Sequence, residues 1–176
     1  MFHDASRFPF TRVLERHWRE ILADYRRVRH ALVDWPERKL YERGWKVLGI
    51  YDFPHGAPIA ANVEASRFTA SLIEEHVPRH GAVGFSVLEP GTHIVPHEGY
   101  QGDFLRCHLA LEVPDHGDLG LRVGDEVRRW HVGRGLVFDD RVPHEAWNRS
   151  DEERVVLLLD FVPDPGIITT APRGRR

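Results

Sequence analysis

The sequence predicts a mainly β protein, a sandwich or barrel of the jelly-roll kind buttressed by N-terminal α-helices. Three observations carry that expectation. The first third repeats its apolar residues with a helical period. From Val83 onward the texture changes to short runs rich in Val, Leu and Phe, separated by Gly, Pro and Asp. The chain of 176 residues has room for one compact core and little more. No internal repeat or composition break divides it, so helices and strands are read as one domain.

Between Thr11 and Leu32, Leu14, Trp18, Ile21, Tyr25, Val28 and Leu32 recur at steps of four and three, with arginines on the other side. That stripe predicts one helix laid against a sheet. Trp45–Phe53 reads as an early strand. A second helix is expected from about Ser66 to Val77, ended near Pro78 and Gly81 by a breaker and a permissive residue. The remaining strands are expected at Val83–Leu88, Phe104–Val113, Leu119–Val123, Val127–Val132, Gly135–Phe138, Glu145–Asn148 and Val155–Val162. Residues 1–80 thus form the buttress and 81–163 the β core, while 164–176 read as a frayed tail.

A net charge of -3 gives no electrostatic reason to expect nucleic acid or an anionic membrane as partner. One cysteine, Cys107, excludes an internal disulfide and a multi-thiolate zinc site. The start of the chain carries no basic segment followed by an apolar run, and no stretch is long and apolar enough to span a bilayer. These features set a cytoplasmic protein as the expectation.

Chemistry concentrates in the C-terminal half. Alternation along Phe104–Val113 puts Arg106, His108 and Ala110 on one face and Cys107, Leu109 and Leu111 on the other. The second set suits a packed face; the first faces solvent or lines a polar cavity. Further on, Asp139 and Asp140 precede His144 across a proline turn, and an acid so placed can hold a histidine's second ring nitrogen. Arg154 opens the most hydrophobic strand, as a surface cap or as a carboxylate clamp.

Several separate motifs, in order, resemble the aspartyl/asparaginyl β-hydroxylases. They are Pro90-Gly91-Thr92-His93 with Pro96-His97-Glu98-Gly99, then Leu105-Arg106-Cys107-His108-Leu109, Trp130, Phe138-Asp139-Asp140 with His144-Glu145-Ala146-Trp147, and Arg154 through Asp160. The match runs from about Gly84 to Asp160; the leading helices resemble the family only in general character.

The resemblance implies a double-stranded β-helix that uses Fe(II), 2-oxoglutarate and O2 to hydroxylate an unactivated carbon. It implies His108 and His144 as iron ligands, Arg154 on the distal carboxylate of 2-oxoglutarate and Asp140 as an outer-shell group. His97 and Arg106 match polar positions near the pocket. Arginine chemistry makes Arg122 a candidate for a second carboxylate contact. A carboxylate ligand usually lies two residues after the first histidine, where this chain has Ala110. That small residue keeps a halogenase reading open. His93 and His97, four apart, are rival ligands that a loop could bring inward. Trp130 and Trp147 either wall the pocket or pack the barrel. The expected substrate is an amino acid oxidised at its β-carbon, a modified peptide or a related small molecule in a biosynthetic pathway. The rival from another class is a non-enzymatic β-barrel that binds a carboxylate.

Overall fold

The computed structural model describes residues 1–77 and 79–165. Its helices are α1 (Pro9–Arg16), α2 (Trp18–Val28), α3 (Ala60–Ala65) and α4 (Arg67–His76). Its strands are β1 (Phe2–His3), β2 (Val33–Asp34), β3 (Trp45–Tyr51), β4 (His80–Leu88), β5 (Thr92–His97), β6 (Leu105–Glu112), β7 (Leu119–Val123), β8 (Glu126–Arg128), β9 (Gly135–Phe138), β10 (His144–Asn148) and β11 (Arg154–Phe161). They form a seven-stranded sheet in the order β1-β9-β6-β11-β4-β3-β2 and a four-stranded sheet in the order β5-β10-β7-β8. Every pairing is antiparallel.

The large sheet is covered on both faces. Its outer face packs on the helices through Ile21, Tyr25, Ile73, Phe85, Leu109 and Leu157. Its inner face meets the small sheet through Trp45, Leu88, Ala110, Leu121, Trp130 and Phe138. β11 lies at the centre of the large sheet and is buried along its whole length. That is why it reads as a continuous apolar run rather than an alternation. β6, beside it, splits as its alternation predicts. Cys107, Leu109 and Leu111 join the helix-side core, and Ala110 joins the core between the sheets.

Three expectations need correction here, the first being that the strand expected over Val127–Val132 ends at Arg128, in β8. The single helix over residues 11–32 is two helices, because His17 takes φ -103° and ψ 18°. The break lets α2 present Asp24 to α4, where its carboxylate accepts from the backbone N–H and hydroxyl of Thr69, both at 2.8 Å. This buried acid is satisfied at a helix N-terminus, where four backbone N–H groups lack intrahelical partners. A further correction is β5, which none of the expected strands covers; Pro90, Gly91 and Pro96 argue only against a helix there. It is an edge strand, and a proline at an edge has no outer ladder bond to lose.

Among the described residues no helix is long and apolar enough to cross a membrane. The expected tail lies, from residue 166 on, outside the described residues, as does Pro78.

Candidate active site

A cleft opens between the sheets. The large sheet contributes Ser86 from β4, Arg106 and His108 from β6, and Arg154 and Leu158 from β11. The small sheet contributes Ile94 and His97 from β5, and His144 and Ala146 from β10. Phe138, at the end of β9, lies with its ring 5.0 Å from that of His108 and 5.8 Å from that of His144.

The β5–β10 register sets His97 directly opposite His144, with ring centroids 4.2 Å apart. Each ring donates through Nδ1 to a backbone carbonyl: His97 to Val95 at 2.9 Å and His144 to Val142 at 3.0 Å. A neutral imidazole has one N–H, so Nε2 of each is left with its lone pair. Burial keeps both rings neutral. It lowers the pKa of His97, and, with His97 alongside, brings that of His144 down to about 3. Two neutral imidazoles with Nδ1 fixed on carbonyls are prepared to ligate a metal through Nε2.

His108 is prepared differently. The indole N–H of Trp130, which can only donate, points at its Nδ1 from 3.3 Å. The proton of His108 therefore sits on Nε2, and that buried atom has no hydrogen-bond partner in the protein. Burial, then Arg154 and Arg106, hold its pKa well below the ordinary histidine value. The ring is a neutral N–H donor facing a cleft.

Arg154 stands in the same cleft and is 1% exposed. Its Nε lacks a partner, and its Nη1 reaches only the Ser86 carbonyl at 3.4 Å. Its guanidinium lies 4.6 Å over the Trp130 ring. Burial without a counter-charge pulls its pKa down to about 9, so it stays a cation at neutral pH. A buried cation and a buried unsatisfied donor facing one cleft make an anion site.

Arg106 is already engaged. Its Nε and Nη2 donate to the two oxygens of Asp160 at 2.7 and 2.9 Å, and Nη1 lies 3.2 Å from Asp140. Burial opposes its charge, but the Asp160 carboxylate outweighs it and raises the pKa. Asp160 was not singled out in the sequence; the signal was an acid within the apolar run of β11, in register with Arg106. The Asp140 carboxylate does not hold His144, whose Nδ1 is taken by the Val142 carbonyl. It packs instead against Gly99, where an added Cβ would lie 2.3 Å from its Oδ2. Burial raises the Asp140 pKa in spite of Arg106.

Gly99 is two residues after His97, the position of the usual carboxylate ligand. Asp140 occupies the space that a side chain there would need. Among the described residues only His116, Asp151 and Glu152 bring three ligand atoms within 4.8 Å of one another, and all three are exposed. The cleft thus offers a pair of histidine nitrogens rather than a three-residue cage, and its donor set fits Fe(II) together with a dicarboxylate.

The remaining expected residues lie elsewhere. Arg122 faces out of the sandwich, because its neighbours Leu121 and Val123 face in. Its guanidinium donates to Glu145 at 2.6 Å and to the Gly124 carbonyl at 2.8 Å. His93 is on the same outer face, 2.8 Å from the other Glu145 oxygen. Trp147 donates to Asp118, while Trp130 is buried beside the cleft.

The model of the family described as aspartyl/asparaginyl β-hydroxylase matches residues 15–163. The chain belongs to that family. It is a hydroxylase family of Fe(II)/2-oxoglutarate dioxygenases. An "ornithine lipid ester-linked acyl 2-hydroxylase" of Rhizobium tropici is 32% identical, over 91% of this chain and 59% of that protein. The aspartyl/asparaginyl β-hydroxylase of Mus musculus is 38% identical over 47% of this chain, but only 11% of that much longer protein. Among solved structures, a prolyl-4-hydroxylase of Pseudomonas putida superposes with a TM-score of 0.56 at 20% identity, covering 85% of this chain and 88% of that one. That likeness speaks for the fold: two antiparallel sheets of the double-stranded β-helix kind with N-terminal helices. The aspartyl/asparaginyl β-hydroxylase match contains every cleft residue named above.

Proposed function

We propose that this chain is an Fe(II)- and 2-oxoglutarate-dependent hydroxylase of an unactivated carbon, in which His97 and His144 hold the iron. The observation that carries this reading is the opposite protonation of facing histidines. His97 and His144 present lone pairs, and His108 presents an N–H. The sequence expectation of His108 and His144 as ligands is thereby revised in one member, with His108 becoming a donor to the cosubstrate.

The bound iron, with 2-oxoglutarate and O2, supplies the oxidising power that breaks an unactivated C–H bond. The residues of the chain bind and orient. Arg154 matches the distal carboxylate of 2-oxoglutarate with its planar fork, which supplies the counter-charge that the cation lacks. His108 donates its Nε2–H to another cosubstrate oxygen. Arg106, locked by Asp160, holds Asp140 against Gly99 and so keeps a negative charge on the side where a third protein ligand is missing. Ile94, Phe138 and Ala146 line the cleft with apolar surface that excludes water.

For the substrate, an amino acid or related small molecule remains one reading. The Rhizobium tropici relative, which aligns along 91% of this chain, favours a second: an acyl chain. The test of the class is anaerobic addition of Fe(II) and 2-oxoglutarate, read by the visible charge-transfer band, followed by oxygen and quantification of succinate. Band and succinate together establish the oxygenase; absence of the band returns the chain to a carboxylate-binding barrel.

A further inference from the structure

A second cavity, of about 230 Å³, adjoins the histidine cleft. The two are lined by successive residues of one strand face. On β4, Ala82 and Gly84 floor the second cavity, and Ser86, the next residue on that face, lines the cleft. Leu158, registered opposite Gly84 on β11, lines both. Two stacked tryptophans mark the boundary: Trp35 on the cavity side and Trp45 on the cleft side, 4.3 Å apart and parallel within 4°.

The walls of this cavity are apolar: Val47, Ile59, Phe53 and Tyr100 face it beside Trp35. The acids at its edge are turned to other partners. Glu37 accepts from the Trp35 indole, and Asp52 accepts from the backbone N–H of Ala57. Gly49 and Gly84, neighbours in the β3–β4 ladder, leave the floor without side chains. Beyond the Phe53–Tyr100 edge-on pair, whose centroids lie 4.4 Å apart, a third cavity is lined by His55, Gln101, Arg106, Asp140 and Asp160. Pro54 and Phe104 line this third cavity too, so Phe53 and Tyr100, which line both, divide an apolar compartment from one of mixed lining.

We infer that the apolar cavity is a subsite for an aliphatic chain of the substrate, bounded on one side by Phe53 and Tyr100. The inference rests on the hydroxylase reading for its purpose, since the cavity shares Leu158 with the cleft of the proposed iron site. It deepens that reading by selecting an amphiphile over a free amino acid. A compact polar substrate would leave this apolar floor wet, whereas each buried methylene removes about 0.8 kcal/mol of hydration cost.

The test uses neutral n-alkyl glucosides from hexyl to decyl, below their critical micelle concentrations, titrated calorimetrically into the full chain. Affinity should rise about three- to fourfold per added methylene until the cavity is full. Val47→Trp and Ile59→Trp, at partly exposed wall positions, should each lower affinity at least tenfold while the Fe(II)/2-oxoglutarate charge-transfer band is unchanged. Chain-length dependence that is abolished by these variants, with the band intact, supports both proposals. The same dependence in a protein that gives no band supports the subsite and sinks the hydroxylase reading. Affinity indifferent to chain length, or unaffected by both variants, overturns the subsite whatever the band does.

Discussion

The indole N–H of Trp130 points at Nδ1 of His108 from 3.3 Å, and so decides which nitrogen of that ring bears the proton. One buried donor 22 residues along the chain thereby separates the role of His108 from those of His97 and His144. Trp130→Phe removes that donor and frees the tautomer. The expected result is 2-oxoglutarate affinity weaker by about 1 kcal/mol, the usual worth of a hydrogen bond, with iron content unchanged. Loss of iron in this variant would place His108 back among the ligands.

The three histidines are separable by metal analysis. His97→Ala and His144→Ala should abolish iron retention while far-UV circular dichroism stays native, and His108→Ala should retain iron and lose cosubstrate affinity. Stoichiometric, catalytically competent iron in His97→Ala would refute the proposed pair.

Arg154→Ala removes the buried cation that faces the cleft. Calorimetric titration of the iron-loaded protein should show 2-oxoglutarate binding weakened by about 2–5 kcal/mol, the range for truncating one partner of a buried charge pair. An unchanged dissociation constant would move the anchor to another residue.

Acid should destabilise the metal-free protein before its carboxylates titrate. Folding brings the pKa of His144 to about 3 and lowers those of His97 and His108, while the unfolded chain restores values of about 6.5. Between those limits the unfolded state binds more protons, so stability falls as pH drops below about 6.5, by about 1.4 kcal/mol per pH unit for His144 alone. Urea midpoints measured from about pH 7 to about pH 4 should decline steadily, and Fe(II) should offset part of the loss near neutrality. A flat profile over that range would contradict the burial of these rings.

Asp160→Ala leaves Arg106 buried with Asp140 as its remaining carboxylate. Breaking such a pair from one side costs about 3–5 kcal/mol, which denaturant unfolding would detect. Asp160→Asn should fall between the variant and the parent, because the amide keeps one acceptor oxygen. A loss below about 1 kcal/mol for the alanine variant would show that Asp140 alone satisfies Arg106.

The sandwich and its helices were legible because period and alternation are local properties. The two faces of β6 follow from alternation alone, which is how Arg106 and His108 were placed together. β5 escaped because Pro96 argues against regular structure without telling an edge strand from a loop, which only sheet position does. With β5 went the partnership of His97 with His144, which is a cross-strand register and leaves no mark on either segment. The tautomers were beyond reach for a related reason: Val95, Val142 and Trp130 set them through tertiary geometry. Arg122 misled because its chemistry suits a carboxylate wherever it stands, and the alternation that turns it outward requires knowing which face of β7 is inside.

The cleft histidines and Arg154 are fixed on strands, whereas Trp35, Phe53, Ile59 and Tyr100 stand on the connections between elements. Insertions or exchanges in those connections can therefore reshape what the protein accepts without disturbing the ladder that holds its reactive centre. Relatives that share the strands can diverge in diet while keeping one chemistry.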